Sequence, residues 1–186
     1  MKYFGPEVKL PLCETGLAPH VERATGIDDA ELVLGSREDV ERFMRYQNAG
    51  IILFDATAEL LQSINRDKAI LVGAHALTGK DREFLSAHKV RYFSMNSMTM
   101  EGMANICDTI MEHAHQWPNL HIAVSSSVLD SAFSPVGNPG GLSSRELLYF
   151  LQRLRLLKNY TTASVIGESN PLTSKLLAEL AVPKVL

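Results

Sequence analysis

The side chains of this chain that could do chemistry each follow an apolar run. Ser125, Ser126 and Ser127 follow "NLHIAV", Asp55 and Thr57 follow "AGIILF", His75 follows "AILVGA", and Glu168 follows "TTASVIG". A serine nucleophile needs a base beside it and a sharp turn to present it. No Gly-x-Ser-x-Gly elbow surrounds the three serines, and no histidine is fixed next to them by sequence. Asp55 is placed either to hold a cation or to accept backbone N–H groups of its own loop. Glu168, with Asn170 and Pro171 just beyond it, is placed to bind a cationic group or to serve the turn into the next helix. His75 is the imidazole best placed for acid–base work, at the expected edge of a cleft. His113 and His115 share a helix but project in different directions, which disfavours a shared metal. His121 alternates within an apolar run and reads as packed. His20 and His88 have no informative context.

These residues need elements to position them. "AELVLG" (30–35), "AGIILFDA" (49–56), "AILVGAH" (69–75), "VRYFSM" (90–95), "NLHIAVSS" (119–126) and "TTASVIGE" (161–168) read as strands, and the continuous apolar runs suit strands buried on both faces. Between them lie helical stretches at 36–47, 79–88, 97–115, 143–154 and 171–180. Ser36 is a candidate N-cap for the first, and Ser143 with Glu146 has the spacing of a capping box. Met100, Met103, Cys107, Ile110 and Ala114 fall on one side of the 97–115 helix, where methionine reads as a core gap-filler. Strands alternating with helices predict an α/β fold, a mainly parallel sheet covered on both faces. Such sheets bind ligands beyond the carboxyl ends of their strands, which is where the residues above fall. Residues 1–29 carry Pro6, Pro11 and Pro19 and read as an irregular segment ahead of the alternating core, 30–186, forming either an added strand or a surface wrap.

The 186 residues suffice for one domain with its own core. A net charge of −3 gives no reason to expect nucleic acid, and no basic amphipathic stretch suits an anionic membrane surface. The N-terminal "MKYFGPEVKLPLCETG" has no long apolar run, which leads us to expect a cytoplasmic protein without signal peptide or membrane anchor. Cys13 and Cys107, far apart, form neither a disulfide framework nor a CxxC zinc site.

Read in order, the strand ends resemble the ureohydrolase superfamily of arginase, agmatinase and formimidoylglutamase. "LDSAFSP" is similar to its Leu-Asp-Pro-x-Phe-x-Pro segment, "GGLSSRELL" to Gly-Gly-Leu-(Ser/Thr)-x-Arg-Glu, and "GESNP" to Glu-Val-Asn-Pro. "FDATAEL" stands in the place of Asp-Ala-His-Ala-Asp-Leu, and "AILVGAHALTGKDREFL" in that of the strand and helix after it. The resemblance implies a three-layer α/β/α sandwich of the arginase/deacetylase kind, and two manganese ions that activate a bridging hydroxide against a guanidinium or related carbon. A pair of divalent cations demands several anionic oxygens and some imidazole nitrogens. Here the family's ligand positions have changed. Asp55 is kept, Thr57 replaces a histidine, and Glu59 replaces an aspartate. Ser125 and Ser127 replace the Asp-x-Asp pair, although Asp130 is kept. The family's Gly-Gly-Asp-His-Ser loop falls on residues 35–39, so that Glu38 takes the histidine's place, with the cation Arg37 beside it. Asp55, Glu59 and Glu38 are the residual metal candidates, and Glu168 keeps the place of the substrate-side glutamate. The chain is also shorter where the family's active-site loops run. The resemblance with these losses implies a non-catalytic structural, regulatory or partner-binding protein without a cofactor. It also implies a homo-oligomer, trimer or hexamer, or association with an active paralogue. The alternative is a divergent manganese-dependent hydrolase of guanidino or amidino C–N bonds.

Overall fold

A computed structural model describes residues 1–13, 16, 19–45, 47–64 and 68–181. The described residues form one sheet of eight strands, all parallel, with helices on both faces. The strands are β1 (Lys2–Phe4), β2 (Glu22–Arg23), β3 (Leu32–Gly35), β4 (Gly50–Phe54), β5 (Ala69–Ala74), β6 (Arg91–Ser94), β7 (Leu120–Ser125) and β8 (Tyr160–Ile166). Their order across the sheet is β2-β1-β3-β8-β7-β4-β5-β6. The helices are α1 (Arg37–Arg45), α2 (Glu59–Ile64), α3 (Gly79–Ala87), α4 (Met95–Glu101), α5 (Met103–Ala114), α6 (Ser144–Leu154) and α7 (Pro171–Ala181).

Successive residues of a strand point to opposite faces, and the core divides accordingly. Ile52 and Phe54 of β4 join Ile106, Cys107, Leu147, Phe150 and Leu176 of α5, α6 and α7 on one face. Ile51 and Leu53 join Val40, Phe43, Leu60 and Leu85 of α1, α2 and α3 on the other. Every residue of β4, β5 and β7 is buried, as their unbroken apolar runs require.

One open alternative is resolved and one expectation needs correction. Residues 1–29 contribute β1 and β2 to the sheet: Tyr3 pairs with Arg23 on one side and Leu32 on the other. The helix expected over 97–115 is two helices, broken at Gly102, whose φ of 85° ends one and begins the next. The break takes Met100 off the expected face and leaves it 78% exposed, while Cys107, Ile110 and Ala114 are buried and Met103 packs at the core's edge. The capping box at Ser143 and Glu146 is present, with the Ser143 hydroxyl accepting from the Glu146 N–H at 3.2 Å and Glu146 Oε2 accepting from the Ser143 N–H at 2.7 Å. Ser36 likewise caps α1, accepting from the Asp39 N–H at 3.2 Å.

The strand order reverses next to β4. From β4 the chain steps outward to β5 and β6, and then returns on the other side of β4 with β7 and β8. The carboxyl ends of β4 and β7 therefore flank the crevice where a doubly wound sheet binds its ligand. Phe54 pairs with Val124, so the next residues, Asp55 just past β4 and Ser125 at the end of β7, lie side by side.

Candidate functional site

Asp55 is buried at the end of β4, 6% exposed. Its Oδ1 accepts from the Ser127 hydroxyl at 2.5 Å and from the Thr57 N–H at 3.3 Å. Ser127 Oγ also lies 2.8 Å from Ser125 Oγ. A hydroxyl has one proton to give, and Ser127 gives it to the carboxylate, so Ser125 is the donor in that second contact. The result is a chain of hydrogen bonds, Ser125 to Ser127 to Asp55, across the crevice. Burial pushes the Asp55 carboxyl above its ordinary value of 3.8, against the opposing pull of the Ser127 hydrogen bond, the Thr57 N–H and the Arg37 charge.

Arg37, the first residue of α1, reaches across to α2. Its Nη1 donates to Glu59 Oε2 at 2.5 Å and its Nε to Glu41 Oε1 at 3.2 Å. Burial alone would lower its pKa. The hydrogen bond and charge of Glu59 outweigh that, and Glu41 and Asp55 add to them, so the guanidinium is held more firmly charged than usual.

The remaining sequence candidates separate from this group. Glu38 is exposed in the first turn of α1 and no hydrogen bond ties it to Asp55 or Glu59. Thr57 is half-buried and contributes its backbone N–H to Asp55. Glu168 is exposed: its carbonyl accepts from the Thr173 hydroxyl at 2.8 Å, and Asn170 caps α7 by accepting from the Thr173 N–H at 2.9 Å. His75 sits at the end of β5 on the rim of a cavity of about 430 Å³ that Arg82, Tyr92 and Asn96 also line. A carbonyl can only accept, so His75 Nδ1, 2.7 Å from the Gly73 oxygen, carries the proton. Its Nε2 is buried without a hydrogen-bond partner among the described residues. No three of His, Cys, Asp and Glu come together to hold a metal ion among the described residues.

The loop after β7 is held by short-range fits. Asp130 accepts from the N–H groups of Ala132 at 2.9 Å and Gly140 at 2.7 Å, and these bonds hold its carboxyl below the ordinary value. A Cβ on Gly137 would lie 2.3 Å from the Leu129 carbonyl oxygen, and one on Gly141 would lie 2.6 Å from that of Val128. Only glycine allows this backbone approach.

Sequence reading gave no roles to Ser126 or to the partners of His121. Ser126 donates to the Ile166 carbonyl at 2.9 Å, tying the end of β7 to β8, and a side chain on Gly167 would strike it. His121 is fully buried, as its alternation predicts. Its Nδ1 and Nε2 lie 2.9 Å from the hydroxyls of Thr162 and Ser164, and its ring meets Phe43 edge-on at 5.5 Å.

A family model described as "Arginase family" matches residues 35–181, nearly the whole of this architecture. The chain belongs to the arginase family. The arginase from Bacillus cereus superimposes with a TM-score of 0.72 at 19% identity, over 83% of this chain and 72% of that one. The formimidoylglutamase from Bacillus subtilis superimposes at 0.65 and 18%, over 80% of this chain and 58% of the other. The agmatine ureohydrolase of Thermoplasma volcanium gives 0.65 at 16%, over 90% of this chain and 71% of that one. No curated protein matches the chain by sequence. In this arginase-family chain the match begins at Gly35, so β1, β2 and all but the last residue of β3 lie outside it. No helix among the described residues is long and apolar enough to cross a membrane.

Proposed function

We propose that this arginase-family chain has lost the dinuclear manganese site of its relatives and acts without catalysis, as a structural, regulatory or partner-binding protein. One observation carries the proposal: the crevice between β4 and β7 is closed by hydroxyls. Where the resemblance puts an Asp-x-Asp pair, Ser127 donates to Asp55 at 2.5 Å and Ser125 lies behind it at 2.8 Å. A neutral hydroxyl that gives its proton to the neighbouring carboxylate is a poor ligand for a hard divalent cation. Glu59, which stands in the place of the second aspartate, is engaged by Arg37. This donor set does not fit a pair of divalent ions, whose charge needs several free carboxylates and imidazoles to offset it.

The test is turnover. The purified chain, supplied with manganese and given arginine, agmatine and other guanidino and amidino compounds in turn, releases no urea or ammonia above the buffer rate. Manganese-dependent release that disappears in Asp55→Ala and Glu168→Ala would establish the divergent hydrolase instead.

A further inference from the structure

The crevice holds a cation of its own. The Arg37 guanidinium joins two carboxylates from two helices, Glu41 on α1 and Glu59 on α2. It donates to Glu59 at 2.5 Å and to Glu41 at 3.2 Å, and it and Asp55 act on each other electrostatically. Without a positive charge in their midst these acids would repel one another, and Asp55, 6% exposed, could not turn to water for relief. A planar guanidinium answers this need well, because it stays charged at every working pH and its donors fork towards more than one carboxylate.

We propose that Arg37 is the resident counter-cation of this crevice, a guanidinium built into the chain that supplies the positive charge a bound metal would otherwise bring. The inference rests on the reading that the metal pair is lost, and it adds what has replaced it. Arg37 is thus a positioning residue. It holds α1 against α2 through Glu41 and Glu59, which stand on those two helices. The family's fold has kept its acidic crevice by changing the source of the compensating charge.

A merely structural ion pair between two helices predicts a loss of stability on truncation and nothing more. A counter-cation predicts that the loss can be restored from solution. Thermal unfolding of the full chain is compared for wild type, Arg37→Ala, Arg37→Lys and Arg37→Ala/Glu59→Gln, with and without low-millimolar methylguanidinium. Arg37→Ala melts about 2–4 °C lower, the shift expected when a domain of this size loses one partly exposed ion-pair network. Methylguanidinium returns part of that shift to Arg37→Ala and leaves wild type unmoved. Arg37→Lys, charged but unforked, falls between the two. The double variant melts above Arg37→Ala, because one repelling charge is gone, and responds less to methylguanidinium. Equal responses of wild type and Arg37→Ala to methylguanidinium, or a double variant less stable than the single one, would overturn the proposal. Near-stoichiometric manganese in the wild-type chain would instead overturn the reading on which it rests. A metal-free wild type with an unrescued Arg37→Ala would sink this inference alone.

Discussion

Replacing Ser127 by alanine tests the hydrogen-bonded crevice most closely. The substitution removes one hydroxyl and leaves the backbone as it is. Asp55 then keeps the Thr57 N–H at 3.3 Å and the charge of Arg37, and loses its 2.5 Å donor. A hydrogen bond to a charged group contributes about 1.5–3 kcal/mol, so Ser127→Ala should destabilise the chain by about 2 kcal/mol at pH 7. In a domain of this length that is a fall in Tm of roughly 4–8 °C. In an Asp55→Asn background the same change removes a neutral bond worth about 1 kcal/mol, which leaves a coupling of about 1 kcal/mol between the two positions. Urea unfolding followed by the fluorescence of Trp117, the single tryptophan, reads all four stabilities. The pH dependence has a definite sign. Burial raises the Asp55 carboxyl above 3.8, so its ionised form costs stability as pH rises through the folded value, and that cost is absent below 3.8. The Ser127 hydroxyl offsets part of the cost. The deficit of Ser127→Ala therefore grows as the pH rises and fades on acidification. A loss under about 0.5 kcal/mol, of the size surface changes give, or an equal loss in both backgrounds, would refute the reasoning.

Three further outcomes follow from the geometry. His121→Leu should cost about 2–4 kcal/mol in urea unfolding, because it strands the buried hydroxyls of Thr162 and Ser164 while filling much of the ring's space. Gly141→Ala should cost roughly 2–3 kcal/mol and loosen hydrogen-exchange protection across 128–142, since its Cβ would lie 2.6 Å from the Val128 carbonyl oxygen. Cys107, buried and with its thiol pushed up to about 11, should resist iodoacetamide at pH 8 in the folded chain and react once urea unfolds it, as mass spectrometry will read.

The parts of this fold that sequence discloses are those whose cause is local. The runs that became β4, β5 and β7 are apolar throughout because both of their faces are covered, and nothing else in a chain of this charge explains them. Position at a strand end was enough to bring Asp55, Ser125 and Ser127 to one crevice, since in a parallel sheet all carboxyl ends share one edge. Sequence leaves β1 and β2 undecided between strand and surface wrap for an equally physical reason. Three residues and two residues are too few to show a period, and their stability comes from the pairing of Tyr3 with Leu32, far away in sequence. The amphipathic period of 97–115 continues through Gly102 in sequence, while the chain turns there, so Met100 was given to the wrong side. Arg37 was visible as a cation beside a ligand position. Its pairing with Glu59, twenty-two residues on, depends on how α1 packs on α2, which no local pattern encodes. The two acids differ as their places suggest: Asp55, at a strand end, is buried, and Glu59, on a helix face, is exposed and held by Arg37.

If hydroxyls and a guanidinium have taken the place of ligands and metal, the chain holds no manganese pair. Counting metal tests it most directly. The full chain, incubated with excess manganese, passed through a desalting column and analysed by inductively coupled plasma mass spectrometry, should retain far less than one ion per chain. Retention near two ions per chain, lost in Asp55→Ala, would contradict the account.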